Sequence, residues 1–348
     1  MTNNLKQTDF LLPRNDSLDF MKMIGMILVV LIHTFSLTFW YPNQQLLYRI
    51  IVLLADPIFF FVSGYIFWQK NYHNGRFKHF AFRQSLLLLV FVTFALLKFL
   101  IHLGIDYINY FDFFVYPHKG LWFIFSLFFI RWFAFFSIFV SSFVFSKATP
   151  FLKSILPILV FIALMCLPFS LYLAFGDVFE LGHSVAYSSF FVLGWLISVA
   201  EKEESFSKHY FLKAIFAFVC VIVFTVLFLI IEKIDWFANY SFGIVAFRLV
   251  ISAFGVLGIH FICSLICKFK IFSKASMVGK YSLGVYFFGC LIIDFAYVRL
   301  SDNLEIHSSS ALNLLLYFLA ILCLSILLSF AIYYLFGLTK KSMIKKST

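Results

Sequence analysis

Charge is what this chain has least of. Only 12% of its 348 residues are Asp, Glu, Lys or Arg, about half the roughly 25% of a soluble globular domain. A soluble protein must cover most of its surface with polar side chains, and 63% hydrophobic residues, 53 of them Phe, leave too few to do so. Water is excluded as the solvent of the fold, and lipid is expected in its place. Acidic residues are scarcer still, 16 against 27 Lys and Arg. The basic excess forms no stripe along one face. It falls into the short polar gaps between apolar runs, so it orients helices and nucleic acid is not an expected partner. The six cysteines all sit in apolar stretches without the paired spacing of a zinc site or a disulfide framework, and no metal is expected. The chain also lacks a clear internal repeat, a gap long enough for a second domain, and a small-residue cleavage site behind its first apolar run. That run is expected to remain as an anchor, leaving any chemistry to the membrane domain itself.

What the chain does have is long apolar runs. A spanning helix needs about 20 mostly apolar residues, because its backbone polar groups must be satisfied internally. About ten such segments run over approximately 19–40, 47–68, 83–104, 121–146, 154–174, 185–200, 211–231, 242–267, 281–299 and 311–337. Barrel strands would be shorter and alternating, whereas these runs are continuous and rich in Leu and Phe. The expectation is an all-α, polytopic integral membrane protein of about ten transmembrane helices. A polar tail would occupy 1–18, the membrane domain 19–337 and a basic tail 338–348. With an even number of spans, 20 of the 27 Lys and Arg fall on the side of the termini. The positive-inside rule then puts both termini in the cytoplasm.

Ionisable residues inside spans cost free energy in lipid, so each is a candidate for function. They are Asp19, Lys22, His33, Asp56, Arg83, Lys98, Arg131, Arg248, His260 and Asp294. Lys22 and His33 stand out. Eleven residues apart, they project from nearly the same helix face, with a rise of roughly 16 Å between them. A cation at the rim and an imidazole deep in the bilayer suit a long substrate with an anionic head and a buried reactive end, as in an acyl-coenzyme A. Two plainer readings stand beside this one: Lys22 as an interfacial anchor and His33 as an interhelical bonding partner. Arg83, with Arg76 and Lys78 just before it, reads either as a topology signal or as a phosphate ligand. Asp56 and Tyr286 are candidates to orient His33, and Asp56 could equally cap or kink the second helix beside Pro57. Trp122 suits either an aromatic belt or sugar stacking.

These residues carry a resemblance. Ser17-Leu18-Asp19-Phe20-Met21-Lys22, then Gly25 and Val29-Val30-Leu31-Ile32-His33-Thr34, resembles the first helix of the membrane-bound acyltransferase-3 family, where an Arg or Lys precedes an essential His by eleven positions. Asp56-Pro57-Ile58-Phe59-Phe60-Phe61-Val62-Ser63-Gly64-Tyr65 is similar to its Pro-hydrophobic-Phe-Phe…Ser-Gly-Tyr signature. Leu121-Trp122-Phe123, Phe190-Phe191-Val192-Leu193-Gly194 and Tyr281-Ser282-Leu283-Gly284-Val285-Tyr286 match later elements in order. Within the family the chain most resembles the enterobacterial common antigen O-acetyltransferase type. It departs in three places: Phe287-Phe288-Gly289-Cys290 lacks the His that often follows the last Tyr, Gly120 stands where many members have His, and the Arg-x-x-Arg of the third helix is reduced to Arg83.

The resemblance implies a multi-pass protein of the bacterial inner membrane that moves an acyl group, most often acetyl, from acetyl-CoA to a hydroxyl of an envelope glycan or lipid-linked sugar. Acetyl-CoA would be a cosubstrate, with no bound cofactor. His33, Lys22 and Asp56 would be catalytic, Lys22, Arg83, Arg76 and Lys78 would hold coenzyme A, and Trp122 and Tyr286 would meet the acceptor. A transporter or flippase for a lipid-linked sugar, or an accessory subunit of polysaccharide export, shares the helix count and the intramembrane charges.

Overall fold

The computed structural model of the chain describes residues 15–39, 42, 45–69, 77–102, 122–144, 149–176, 181–201, 210–233, 241–300 and 311–346. Twelve α-helices follow in order: α1 Asp16–Thr38, α2 Leu46–Val52, α3 Ala55–Gln69, α4 Phe77–His102, α5 Trp122–Val144 and α6 Pro150–Phe175 come first. Then come α7 Leu181–Ala200, α8 Tyr210–Ile231, α9 Phe242–Ile266, α10 Lys270–Gly279, α11 Ser282–Phe295 and α12 Ala311–Lys346. The described residues contain no strand. Among them nine helices are long and apolar enough to cross a membrane, counting α2 and α3 as one span. A tenth is completed by α10 with Ser282–Val298, bent by 57°. The fold is an all-α polytopic membrane protein.

Local chemistry sets the breaks. Asn15 caps α1, its side chain accepting from the backbone N–H of Ser17 at 3.1 Å and Leu18 at 3.3 Å. The second span is interrupted at Leu53–Leu54, between α2 and α3. Pro57 lies in the first turn of α3, where its missing N–H costs no helical bond. The carboxyl of Asp56 shares that first turn with the positive end of the helix dipole. α10 occupies 270–279, read from sequence as a polar gap. It packs along the start of α1, where the Ser273 hydroxyl donates to the Asp16 carboxylate. α12 continues helically through the basic segment to Lys346.

Small residues set the closest approaches, as expected where lipid supplies no hydrophobic drive between helices. α3 and α7 cross with glycine on both sides: a methyl on Gly64 would collide with the Phe191 carbonyl, and one on Gly194 with the Phe61 carbonyl. Gly279 meets the Asp19 carbonyl in the same way, and a Cβ on Gly289 would sit 3.2 Å from Val30 Cγ2. The first contact sets the end of α10 against the start of α1 and the second packs α11 further along it, so α1 and α11 run side by side in the same direction. Aromatic rings fill the centre between α3, α4, α5 and α7, with Phe80 stacked on Phe135 at 4.3 Å and Trp68 on Trp195 at 5.4 Å.

Candidate functional site

α1 lies at the middle of the bundle, against α2, α3, α9, α10, α11 and α12, and Lys22 and His33 are both on it. Lys22 sits one turn above Asp19 and pairs with its carboxylate at 2.5 Å, the two side chains 23% and 13% exposed. His33 lies five residues before the end of α1. Its ring is half-buried, makes no hydrogen bond among the described residues, and keeps accessible surface on its nitrogens. The charged groups whose fields reach it are Asp294 of α11 and Lys98 of α4. These two form an ion pair of 3.1 Å.

Asp56 and Tyr286 occupy a different level. Gly25 lies against Ile58 and Phe59, and Phe35 packs on Tyr48 at 5.8 Å, so α1 and the second span run antiparallel. That register sets Asp56 opposite Ile27, about 9 Å towards the start of α1 from His33. Tyr286, packed on Phe59 at 6.4 Å and Phe123 at 5.7 Å, lies at the same height. Neither is hydrogen-bonded to His33 among the described residues. The charge of Asp56 is felt instead by Tyr187, Tyr286, Tyr48 and Cys290, and His183 acts on Asp56. Polar groups thus rise in steps along one face of α1: Lys22, then Asp56 and Tyr286, then Cys290, then His33 with Asp294 and Lys98.

Trp122 opens α5 and joins an aromatic group with His183 at 4.9 Å, Tyr187 at 5.2 Å and Phe60 at 6.3 Å. His183 escaped the sequence reading because it lies just before the apolar run 185–200, and Tyr187 because a tyrosine within a run carries no charge to mark it. Arg83 is half-buried near the start of α4 and has no ion-pair partner among the described residues. The backbone of Lys78 lies in α4, and Arg76 lies outside the described residues.

A second polar cluster sits at the end of the bundle where α1 begins. Glu201, just past α7, accepts from the Tyr65 hydroxyl at 2.5 Å and from Lys213 Nζ at 3.0 Å, with His260 Nε2 at 3.4 Å. Burial raises the carboxyl of Glu201, but the hydrogen bond and charge of His260, the Tyr65 hydroxyl and the Lys213 ammonium outweigh it and hold it at about 2. Lys213, read from sequence as a topology cation, is 8% exposed and part of this network.

No curated protein and no solved structure matches the chain. The acyltransferase-3 family model, described as an acyltransferase domain, matches residues 15–334 and so takes in every group described above. The chain belongs to the acyltransferase-3 family and is a multi-pass membrane acyltransferase.

Proposed function

We propose that this acyltransferase moves an acetyl group from acetyl-CoA to a hydroxyl of an envelope glycan or lipid-linked sugar, as an O-acetyltransferase of the enterobacterial common antigen type. The observation that carries this reading is the ring of His33: enclosed in the bundle, free of hydrogen bonds among the described residues, and eleven residues above Lys22 on one helix face. A ring nitrogen without a protein partner is available to a substrate proton.

The phosphates of coenzyme A bind at the end where α1 begins, held by Lys22 and Arg83, with Arg76 and Lys78 preceding Arg83 in sequence. The pantetheine arm follows the polar steps of α1, and its thioester reaches His33. The acceptor hydroxyl donates its proton to the imidazole as its oxygen attacks the thioester carbonyl. The carbon–sulfur bond breaks, and the coenzyme A thiolate takes the proton from the imidazolium. Asp56 and Tyr286, below His33, line the approach of the thioester, and Trp122 offers an aromatic face to the acceptor sugar. The same geometry accommodates an acetyl-imidazole relay.

Radiolabelled acetyl-CoA incubated with membranes carrying the wild-type protein labels envelope glycan. His33→Ala reduces that labelling by about 10²- to 10⁴-fold, the usual contribution of a positioned general base. Wild-type incorporation by His33→Ala would remove His33 from the chemistry. No incorporation by the wild-type protein would overturn the reading.

A further inference from the structure

Lys98 and Asp294 are half-buried charges that the transfer chemistry above does not use, yet they stand at the height of His33. α11 starts just after Gly279, the last residue of α10, which lies against Asp19 near the start of α1, and further along Gly289 of α11 lies against Val30, so α1 and α11 run in the same direction. From the second contact, His33 is three residues further along α1 and Asp294 five further along α11, so their heights differ by only about 3 Å. Lys98, four residues before the end of α4, meets Asp294 Oδ2 at 3.1 Å. That oxygen is buried, and the contact with Lys98 lacks hydrogen-bond alignment, so charge alone holds the pair. The ion pair is not the helices' sole contact: Phe94 of α4 packs edge-on against Phe287 of α11 at 5.3 Å.

We infer that the Asp294–Lys98 pair is the counter-ion of His33 during acyl transfer. Asp294 is a positioning residue that stabilises the imidazolium formed when His33 takes the acceptor proton. Lys98 stands against the Asp294 carboxylate, and the pair supplies a field without itself acting as the base. The proton passes from hydroxyl to imidazole to thiolate sulfur, and neither Asp294 nor Lys98 exchanges one. Around them, α11 also contributes Cys290 one turn below Asp294 and Tyr286 one turn below that. α2 contributes Tyr48, α3 contributes Asp56, and α9 carries Arg248, whose field falls on Tyr187. Near the start of α1, α10 presents the Ser273 hydroxyl to Asp16. Residues 312–334 of α12 contain no Asp, Glu, Lys or Arg.

The inference rests on the acetyltransferase reading, and the experiment separates the two. Initial rates with radiolabelled acetyl-CoA are measured across pH for wild type, Asp294→Asn, Lys98→Met and the double variant, normalised to membrane protein. Asp294→Asn lowers kcat about tenfold, with KM for acetyl-CoA unchanged, and moves the acid limb of the profile about one unit to lower pH, because the remaining ammonium opposes the imidazolium. Lys98→Met moves that limb about one unit to higher pH, because a bare carboxylate favours the imidazolium. The double variant returns the limb close to wild type. A pair that serves only packing would change protein amount and leave every limb in place. That result, or displacement of both single variants in the same direction, overturns the inference while a dead His33→Ala keeps the parent reading. A wild-type protein without acetyl transfer overturns both. Should Lys98→Met fail to accumulate, Lys98→Arg must retain the wild-type limb, and the shift of Asp294→Asn decides.

Discussion

A histidine deep in a membrane helix either bonds to a neighbouring helix or is kept open for a substrate, and the two fates leave different marks. His260 takes the first, its Nε2 at 3.4 Å from Glu201 and its side chain 2% exposed. His33 bears no mark of the first, being half-buried and without a hydrogen bond among the described residues, as the proposed transfer requires. Arg83 is open in the same sense at the rim, and its expected work is electrostatic. Arg83→Ala should raise KM for acetyl-CoA about tenfold with kcat little changed, the mark of lost binding to a phosphate present in ground and transition states alike. Arg83→Lys should recover part of the loss, and added salt should weaken the wild type towards the variant. A fall in kcat at unchanged KM would show that Arg83 acts elsewhere. The spacing of Lys22 and His33 was legible in the sequence because both lie on one continuous helix. The pairing of Lys98 with Asp294 was not, since no local pattern links α4 to α11. The position of Asp56 below His33 was hidden too, because it depends on how the broken second span lies against α1.

At the scale of elements, most spans were legible as apolar runs, since length and composition alone decide whether a helix can cross lipid. Breaks were less so: α2, the interruption at Leu53–Leu54 and the bend after α10 lie within or beside runs whose hydrophobicity hardly changes. The glycines of α3 and α7 are what let two backbones touch, and only the fold reveals which helix each one faces. The Glu201 network joins α3, α7, α8 and α9 at one end of the bundle. In sequence, Glu201 opens the polar stretch Glu201-Lys202-Glu203-Glu204 and resembles any solvated gap. The signal that could have led to it is His260, a ring within a span whose partner the sequence does not name. Glu201→Gln leaves the Lys213 ammonium buried without its counter-charge, an imbalance that costs about 3–5 kcal/mol in soluble proteins. The purified variant should therefore melt well below wild type in detergent, and adding Lys213→Met to it should recover most of the difference. The pH dependence follows the same carboxylate. Held at about 2 against an ordinary 4.5, it contributes stability that is complete above 4.5 and disappears as pH falls towards 2. Wild-type melting temperature should fall through that window, and Glu201→Gln should lose this part of the fall. Equal acid sensitivity in both proteins would show that the network is not what acid breaks.

For the whole molecule, the question is which end faces the cytoplasm, because coenzyme A is available only there. The end where α1 begins also holds the close of α3, the start of α4, the close of α7, the start of α8 and the helix α10. It carries Lys268, Lys270, Lys274 and Lys280, all exposed, together with Lys22 and Arg83. Burial of Lys213 takes one cation out of the count without changing its sign, since the described cations beside the loops of the opposite end are fewer: Arg49, already paired with Glu232 at 3.0 Å, Lys233 and Arg299. By the positive-inside rule this end is expected in the cytoplasm, and the proposed transfer needs it there, with Lys22 and Arg83 at the rim and His33 about 16 Å above Lys22. Fusions at the C-terminus test the arrangement: green fluorescent protein should fluoresce and alkaline phosphatase should be inactive, and both results should reverse for fusions after Glu232. An active phosphatase at the C-terminus would invert the molecule, put the rim cations on the side without coenzyme A, and leave His33 nearer the donor than Lys22, which the proposed transfer does not survive.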